Sequence, residues 1–412
     1  VAGSKVFQTT ICMKVINRVF FFLLLAFSAS DIAGQVDSVA VDSASVDKRS
    51  KIAVLAPLYL DSVFVNGQYK FDKSFPKFLQ PGIDFYQGVQ YAIDSLKKEG
   101  VELDVNIYDT RAAGNSLKNI FDSPDFTGTD LVLGHVNMKD AQWLAYTAKS
   151  RNIPFVNVNF PNEAGVTDNP QYIILNSTLY THCEGIYKFI QKNYALSPIV
   201  VFRKKGAQED RLNAYLKDVE KNTSAVPLKM KYVTLADNFT PQEVSAHLDP
   251  DKTTVVLGAS LDVNFATRLA QQLTALNASN RANILVGMPN WDAINFTGTL
   301  YKGLEIMYST PFNIAPSDST AARLSRSYYS TFYFNPGEMI YRGFETVYQF
   351  GHMLNEEGET PFQQQIQKDT YKLFYDFNIQ PVVNKKTNKI DYYENKKLFI
   401  VKKVDGVIKT VY

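Results

Sequence analysis

The stretch DLVLGHVNMKDAQWLAYTAKSRNIPFVNVNF (130–160) decides the fold. A short apolar run ends at Gly134-His135, a stretch of helical character covers Met138–Arg151, and a second short run, IPFVNVNF (153–160), follows. Strand, helix and strand in that order form a crossover unit, because two parallel strands need a long connection between them.

Reading outward, the same unit recurs. Towards the N-terminus, KIAVLAPLY (51–59) and VELDVNIYD (101–109) read as strands, separated by a helix at Ile83–Glu99. There Phe85, Val89, Ala92, Ile93 and Leu96 recur at three- and four-residue steps and mark one buried stripe, and Gly100 stops the helix. A short helix is expected at Leu117–Asp122. Towards the C-terminus, strands are expected at 198–204, 228–235, 253–259 and 283–289, with helices near Asp210–Lys221, Pro241–Leu248 and Asp262–Leu276. The segment Tyr172–Asn193 links the two sets. The chain therefore repeats its own architecture, and the expected fold class is α/β, with two doubly wound three-layer lobes built on parallel sheets. Beyond them, Leu304–Phe312 reads as a strand, Ser319–Phe334, Ile340–Glu356 and Pro361–Lys368 as helices, and 374–412 as extended chain with an Asp405-Gly406 hairpin turn.

Composition narrows the function. The 412 residues are 45% hydrophobic and 20% charged, enough for a large core. Of 43 basic and 41 acidic residues, the first 34 positions hold Lys5, Lys14, Arg18 and Asp31, which leaves 40 of each sign. A neutral chain has no long-range field to gather nucleic acid or an anionic membrane, so neither partner is expected. From Met13, MKVINRVFFFLLLAFSASDIAGQ has a basic start, an apolar run and small residues before Gln35. It reads as a secretory signal within residues 1–34, since its apolar run is short of the roughly 20 residues that span a bilayer. Residues 35–50, rich in Ser, Asp and Val, read as a flexible linker. With only Cys12 and Cys183, no disulfide framework or cysteine zinc cluster is expected.

No nucleophile elbow, zinc-protease helix, phosphate-binding loop or dinucleotide fingerprint occurs, so neither an enzyme nor a cofactor is expected. His135, His182, His247 and His352 are too widely spaced to suggest a metal. The remaining guide is geometric: ligands of open parallel sheets bind beyond the carboxyl ends of the strands. In the first lobe this selects Tyr59, Asp61, Asp109, Thr110, His135, Asn137, Asn157, Asn159 and Phe160; in the second it selects Arg203, Lys204, Ser260, Asn290 and Trp291. Asp109 reads instead as a turn cap. The expected partner is a small-molecule ligand.

KIAVLAPLYLD (51–61), GVQYAIDSLKKEGVELDVNIYDT (88–110), the 130–159 stretch, VVLGAS (255–260), GMPNW (287–291) and YYSTFYFNPGEMIYRGFETVYQFGHML (328–354), in that order, resemble type I periplasmic binding proteins, such as the leucine/isoleucine/valine-binding proteins. It is also similar to envelope-associated variants of that fold. The resemblance implies a periplasmic, non-catalytic protein that closes two lobes by a hinge over a small polar ligand, amino-acid-like, peptide or cell-wall fragment. An ABC permease or an envelope protein is then its implied partner. It further implies a first lobe of 51–177 plus 307–372 and a second of 178–306 plus 373–412. Amino-acid-binding members carry small hydroxyl residues after the Gly-His and an acid in the GMPNW-like loop. This chain has Asn137 and Asn290 at those places. The alternative is a ligand-independent envelope scaffold on the same fold.

Overall fold

The computed structural model describes residues 49–411 apart from 72–74, 279–281, 316, 357–361 and 369. The expected export segment and all but the last two residues of the 35–50 linker lie outside these.

The chain opens with β1 (Ser50–Ala56), the short α1 (Leu60–Val63) and a small hairpin of β2 (Phe64–Val65) and β3 (Gln68–Tyr69). There follow α2 (Gln80–Lys98), β4 (Leu103–Asp109), α3 (Leu117–Phe121), β5 (Leu131–Gly134), α4 (Met138–Arg151), β6 (Phe155–Asn157) and β7 (Tyr172–Ile174). Then come α5 (Leu179–Tyr194), β8 (Ile199–Arg203), α6 (Ala207–Asn222), β9 (Met230–Thr234), α7 (Pro241–Ser245), β10 (Thr254–Gly258), α8 (Val263–Asn277), β11 (Asn283–Val286) and β12 (Glu305–Thr310). The last part holds α9 (Ser319–Phe332), α10 (Glu338–Asn355), α11 (Phe362–Gln365), β13 (Ile379–Val383), β14 (Ile390–Asn395), β15 (Phe399–Val404) and β16 (Val407–Thr410).

Two seven-stranded sheets result, in the orders β13-β14-β7-β6-β5-β1-β4 and β16-β15-β12-β11-β10-β8-β9. Each is parallel through its consecutive crossover strands and takes antiparallel pairing only from the tail. In the first sheet the pleat sends Ile52, Val54 and Ala56 to one face and Ala53 and Leu55 to the other, all fully buried. The first face is covered by α2 and α10, the second by α3 and α4. The second sheet has its own core, from Cys183 on α5 to Ile400 and Val401 on β15. Burial pushes the Cys183 thiol up to about 12, so it packs as a small hydrophobe.

Glycine sets the closest approach. A Cβ at Gly88 on α2 would lie 2.1 Å from the Ile340 carbonyl oxygen on α10, and one at Gly343 on α10 would lie 2.3 Å from that of Phe85. The two helices meet backbone to backbone only because both residues lack a side chain.

The tail differs from the expected division. Residues 373–412 were expected to complete the second lobe, but β13 and β14 add to the first sheet, β14 pairing in parallel with β7. Phe374, Tyr375, Phe377, Ile379 and Tyr393 are buried in the first core, which explains the return. Likewise β12, expected from 307 onward in the first lobe, pairs with β11 in the second sheet. The chain thus crosses between the units three times, at 175–178, 311–318 and 396–398. The first and third crossings are fastened together: Ser177 Oγ donates to the Asn395 carbonyl (2.7 Å), the Thr178 amide donates to Glu394 Oε1 (2.6 Å), and Asn395 Nδ2 donates to the Leu175 carbonyl (3.2 Å).

Candidate ligand-binding cleft

In each sheet the chain starts at an inner strand and then winds both ways: β1 lies between β4 and β5, and β8 between β9 and β10. At such a switch point the following connections diverge to opposite faces and leave a crevice beyond the strand ends. Segments beyond the strand ends of the two units meet where Arg211 on α6 of the second reaches Glu163, beyond β6 of the first, at 3.1 Å.

The first crevice is organised by Asp109, at the end of β4 and 6% exposed. Its Oδ1 accepts from the amides of Leu58 (2.9 Å), Tyr59 (3.1 Å) and Arg111 (2.9 Å), and its Oδ2 from that of Leu60 (2.8 Å). This fixes the β1–α1 loop, in which Tyr59 takes a left-handed conformation (φ 56°) and sets its ring edge-on to Phe78 at 5.2 Å. Exposed Asp61 is held from the other side by the Ala113 amide (2.7 Å).

His135 follows β5, its amide bonded to the Leu55 carbonyl (2.9 Å) and its ring 6.0 Å from that of Phe85. Its Nδ1 is buried without a hydrogen-bond partner among the described residues, as is Thr110 Oγ1. Burial, with the guanidinium groups of Arg342 and Arg111 adding to it, lowers the His135 pKa to about 4, so the ring is neutral at pH 7. His182 and His352 are engaged elsewhere, with Ser309 Oγ (2.7 Å) and Glu99 (3.0 Å).

Other expected contacts have structural partners. Asn137 caps α4 through the Asp140 amide (3.0 Å). Asn157 is fully buried, bonding both the amide and the carbonyl of Phe160 and the Tyr172 hydroxyl. Asn159 clasps Val136 through the amide (2.6 Å) and the carbonyl (2.9 Å), tying the loop after β6 to the loop after β5. Phe160 is half-buried against the α3–α4 face.

In the second unit Ser260 and Trp291, expected to meet a ligand, are both 0% exposed. Ser260 Oγ donates to Glu209 Oε1 (2.7 Å), and the Trp291 indole donates to the Ser260 carbonyl (3.1 Å) with its ring against Gly258 and Gly287. The tryptophan fills the room that two glycines leave. Asn290 Nδ2 donates to the Leu261 carbonyl (2.8 Å), and its Oδ1 is buried without a partner among the described residues. Arg203 pairs with Asp210 and leaves its Nε buried and without a partner among the described residues. Lys204 pairs with Asp262 (2.6 Å), which raises the lysine pKa and lowers that of the aspartate.

Two groups escaped the sequence reading. Arg111 lies one residue beyond the Asp109-Thr110 tip and pairs with Asp140 (2.5 Å). Arg342, on α10, lies over the Phe312 ring at 3.4 Å from its centroid and pairs with Glu338 (2.5 Å). Extending the strand-tip rule by one position would have found Arg111; no local signal marks Arg342.

No protein-family model and no curated protein sequence matches the chain. Solved structures do. An ABC transporter substrate-binding protein from Desulfitobacterium hafniense is 12% identical with a TM-score of 0.57, over 88% of this chain and 100% of that one. A branched-chain amino acid ABC transporter periplasmic ligand-binding protein from Burkholderia xenovorans is 12% identical with a TM-score of 0.59, over 88% and 95%. Full-length LpoA from Haemophilus influenzae is 14% identical with a TM-score of 0.54, over 88% of this chain but only 59% of that one. The chain has the two-lobe α/β fold of type I periplasmic binding proteins.

Proposed function

We propose that this chain is an extracytoplasmic solute-binding protein that captures a small polar ligand between its two units by hinge closure. What supports the reading is the set of polar atoms just beyond the strand ends of both units, Thr110 Oγ1, His135 Nδ1, Arg203 Nε and Asn290 Oδ1, which are buried without partners among the described residues. Such groups cost free energy unless something bonds to them, so a bound polar molecule would supply what the fold leaves out. The residues we assign to the ligand are Tyr59, Asp61, His135, Arg203 and Asn290. Asn137, Asn157, Asn159, Phe160, Ser260 and Trp291 support the walls.

The basic and apolar stretch after Met13 supports export to the periplasm, and the neighbours named as ABC transporter components support a permease partner. Among the described residues no helix is long and apolar enough to cross a membrane. The test is calorimetry of the purified protein against neutral and charged metabolites and cell-wall fragments, with small-angle scattering of each mixture. Heat of binding accompanied by a smaller radius of gyration is expected; neither, across the panel, refutes a solute-binding role.

A second reading, a ligand-independent envelope interaction module, is favoured by the internal hydrogen bonds of Asn137, Asn157, Asn159 and Ser260. It predicts a partner captured from envelope extracts whose binding survives His135→Gln and Asn290→Ala.

A further inference from the structure

We propose that the face of α4 turned away from the sheet is a stacking platform for an acidic glycan, an oligosaccharide whose rings carry carboxylates. This goes beyond the solute-binding reading and does not depend on the cleft.

α4 has two unlike faces. Ala141, Leu144, Ala145 and Ala148 are buried in the core of the first unit. On the other side Lys139, Gln142, Trp143, Tyr146, Thr147 and Ser150, at steps of three and four, line one shallow trough. At 1.5 Å per residue it runs about 16 Å along the helix, room for a short run of pyranose rings rather than a single one.

Two aromatic side chains at the middle of the trough are open to solvent, Trp143 at 36% and Tyr146 at 46% exposure, and both are held in place. Trp143 stands at right angles to the Phe121 ring at 5.3 Å. Phe121 is itself buried, stacked on Phe126 at 4.1 Å and covered by the Arg151 guanidinium at 5.3 Å. Tyr146 is tethered by its hydroxyl, which donates to the Gly165 carbonyl (3.4 Å). Rings fixed before binding lose little freedom on contact, so the stacking energy is not spent on ordering them.

The rest of the lining selects the guest. Among the described residues no aliphatic side chain lines the trough, and polar side chains outnumber the two aromatics, so it offers a partner helix no apolar groove. A sugar ring presents a C–H face to an aromatic ring and hydroxyls at its rim, and the trough answers both: the side chains of Lys139, Gln142 and Thr147 make no hydrogen bond among the described residues. Charge then sets the sign. The carboxylates bordering α4 are already paired, Asp140 with Arg111 (2.5 Å), Asp122 with Lys118 (2.6 Å) and Arg151 (2.9 Å), and Asp168 with Lys149 (3.3 Å) and Lys389 (3.4 Å). Lys139 has no ionic partner among the described residues, so it leaves the trough one uncompensated positive charge, complementary to a carboxylate on the glycan.

The test uses the purified protein with the trimer of galacturonic acid and, as its neutral counterpart, the methyl ester of the same trimer. Trp143 is its own reporter: stacking should shield it from acrylamide and shift its emission to the blue, while Trp291, fully buried, does not respond. By calorimetry, Trp143→Ala and Tyr146→Ala should each weaken binding of the acid trimer by about two- to tenfold, with the circular dichroism spectrum unchanged. Tyr146→Ala removes a well-exposed side chain and keeps the test standing should Trp143→Ala disturb Phe121. The ester should bind about two- to fivefold more weakly than the acid, and Lys139→Gln should erase that difference. Tyr333→Ala, which removes a more exposed aromatic at the end of α9, should change nothing. No shielding of Trp143 by the acid trimer, or binding indifferent to both aromatic variants, overturns the platform. Equal binding of acid and ester overturns the acidic assignment. Binding abolished by His135→Gln but not by Tyr146→Ala puts the sugar in the cleft, which overturns the platform and leaves the solute-binding reading standing. Shielding of Trp143 by a protein from envelope extracts and by neither sugar overturns it in favour of a protein interface.

Discussion

Replacing Asp109 separates two accounts of the first crevice. If this carboxylate only capped the turn that follows it, one bond, from the Arg111 amide, would matter, and Asn would serve as well as Asp. The structure gives it four backbone donors, three on Oδ1 and one on Oδ2, drawn from both sides of the crevice. Asp109→Asn keeps an oxygen for the three donors but turns an NH2 group towards the Leu60 amide, donor against donor. With charge-assisted bonds worth about 1.5–3 kcal/mol each, that variant should lose about 2 kcal/mol. Asp109→Ala strands all four amides; water can reach part of the loop, so about 4 kcal/mol is expected rather than the full sum. The two tryptophans make the assay specific, since Trp143 lies on α4 of the first unit and Trp291 in the core of the second. In urea, the fluorescence transition of Trp143 should move to lower concentration in the order Asp, Asn, Ala, while that of a Trp143→Phe background, reporting Trp291, moves less. Asn and Ala variants that coincide, or both within about 0.5 kcal/mol of the parent, would refute the four-donor anchor.

Gly88→Ala should destabilise the first unit by about 3 kcal/mol, read in the same urea titration, because the new Cβ meets backbone at 2.1 Å and α2 must part from α10. Gly287→Ala is the counterpart in the second unit: its Cβ would fall 2.0 Å from the Trp291 ring, so the emission of that tryptophan should shift to the red as the ring is displaced. Burial depresses the His182 pKa from 6.5 to about 3, so below pH 6.5 the unfolded chain takes up a proton that the native one refuses. Stability is therefore full above pH 6.5 and falls by about 1.4 kcal/mol per pH unit below it for this histidine; His182→Asn should make the acid limb of a denaturation series shallower. Arg211→Ala removes a half-exposed ion pair between the units, so it should change stability by less than about 1 kcal/mol yet raise the radius of gyration of the ligand-free protein in scattering.

The parallel strands were legible because strands buried on both faces must be β-branched or apolar throughout, as in TVVLG (254–258) and LVLG (131–134). Their helices announced themselves by a one-sided stripe, seen in Phe85, Val89, Ala92 and Leu96, all buried, with Ile93 half-buried at its margin. β7 went unread as a strand because its three residues, Tyr172–Ile174, open the segment read as the link between the two sets, and the β2–β3 hairpin because two-residue strands carry no period. Nor does an extended tail say which edge it will join; that is settled by where Tyr375, Phe377 and Tyr393 find cover. At the site, position was readable and partnership was not. Ser260 and Trp291 lie at strand tips as expected, but whether a tip residue faces a ligand or a neighbour depends on a second residue far off in sequence, here Glu209 for the serine and Gly258 and Gly287 for the indole.

The two switch points, alike in topology, have been filled in opposite ways. Beyond β10 and β11 the space is taken by Trp291, its indole bonded to Ser260, with Glu209 buried beneath and bonded to the serine hydroxyl. Beyond β4 and β5 lie Thr110 and a His135 ring kept neutral by burial, with Thr110 Oγ1 and His135 Nδ1 buried without partners among the described residues. In the second unit the Ser260, Trp291 and Glu209 part of the tip is bonded within itself and makes a good wall, while Asn290 Oδ1 and Arg203 Nε beside it have no partner among the described residues. On the solute-binding reading, selectivity then resides on the first unit, and the second closes over what the first has already chosen. Exchanging donors on the first unit should accordingly change which ligand is taken, whereas changes around Asn290 and Arg203 should alter how long it is kept.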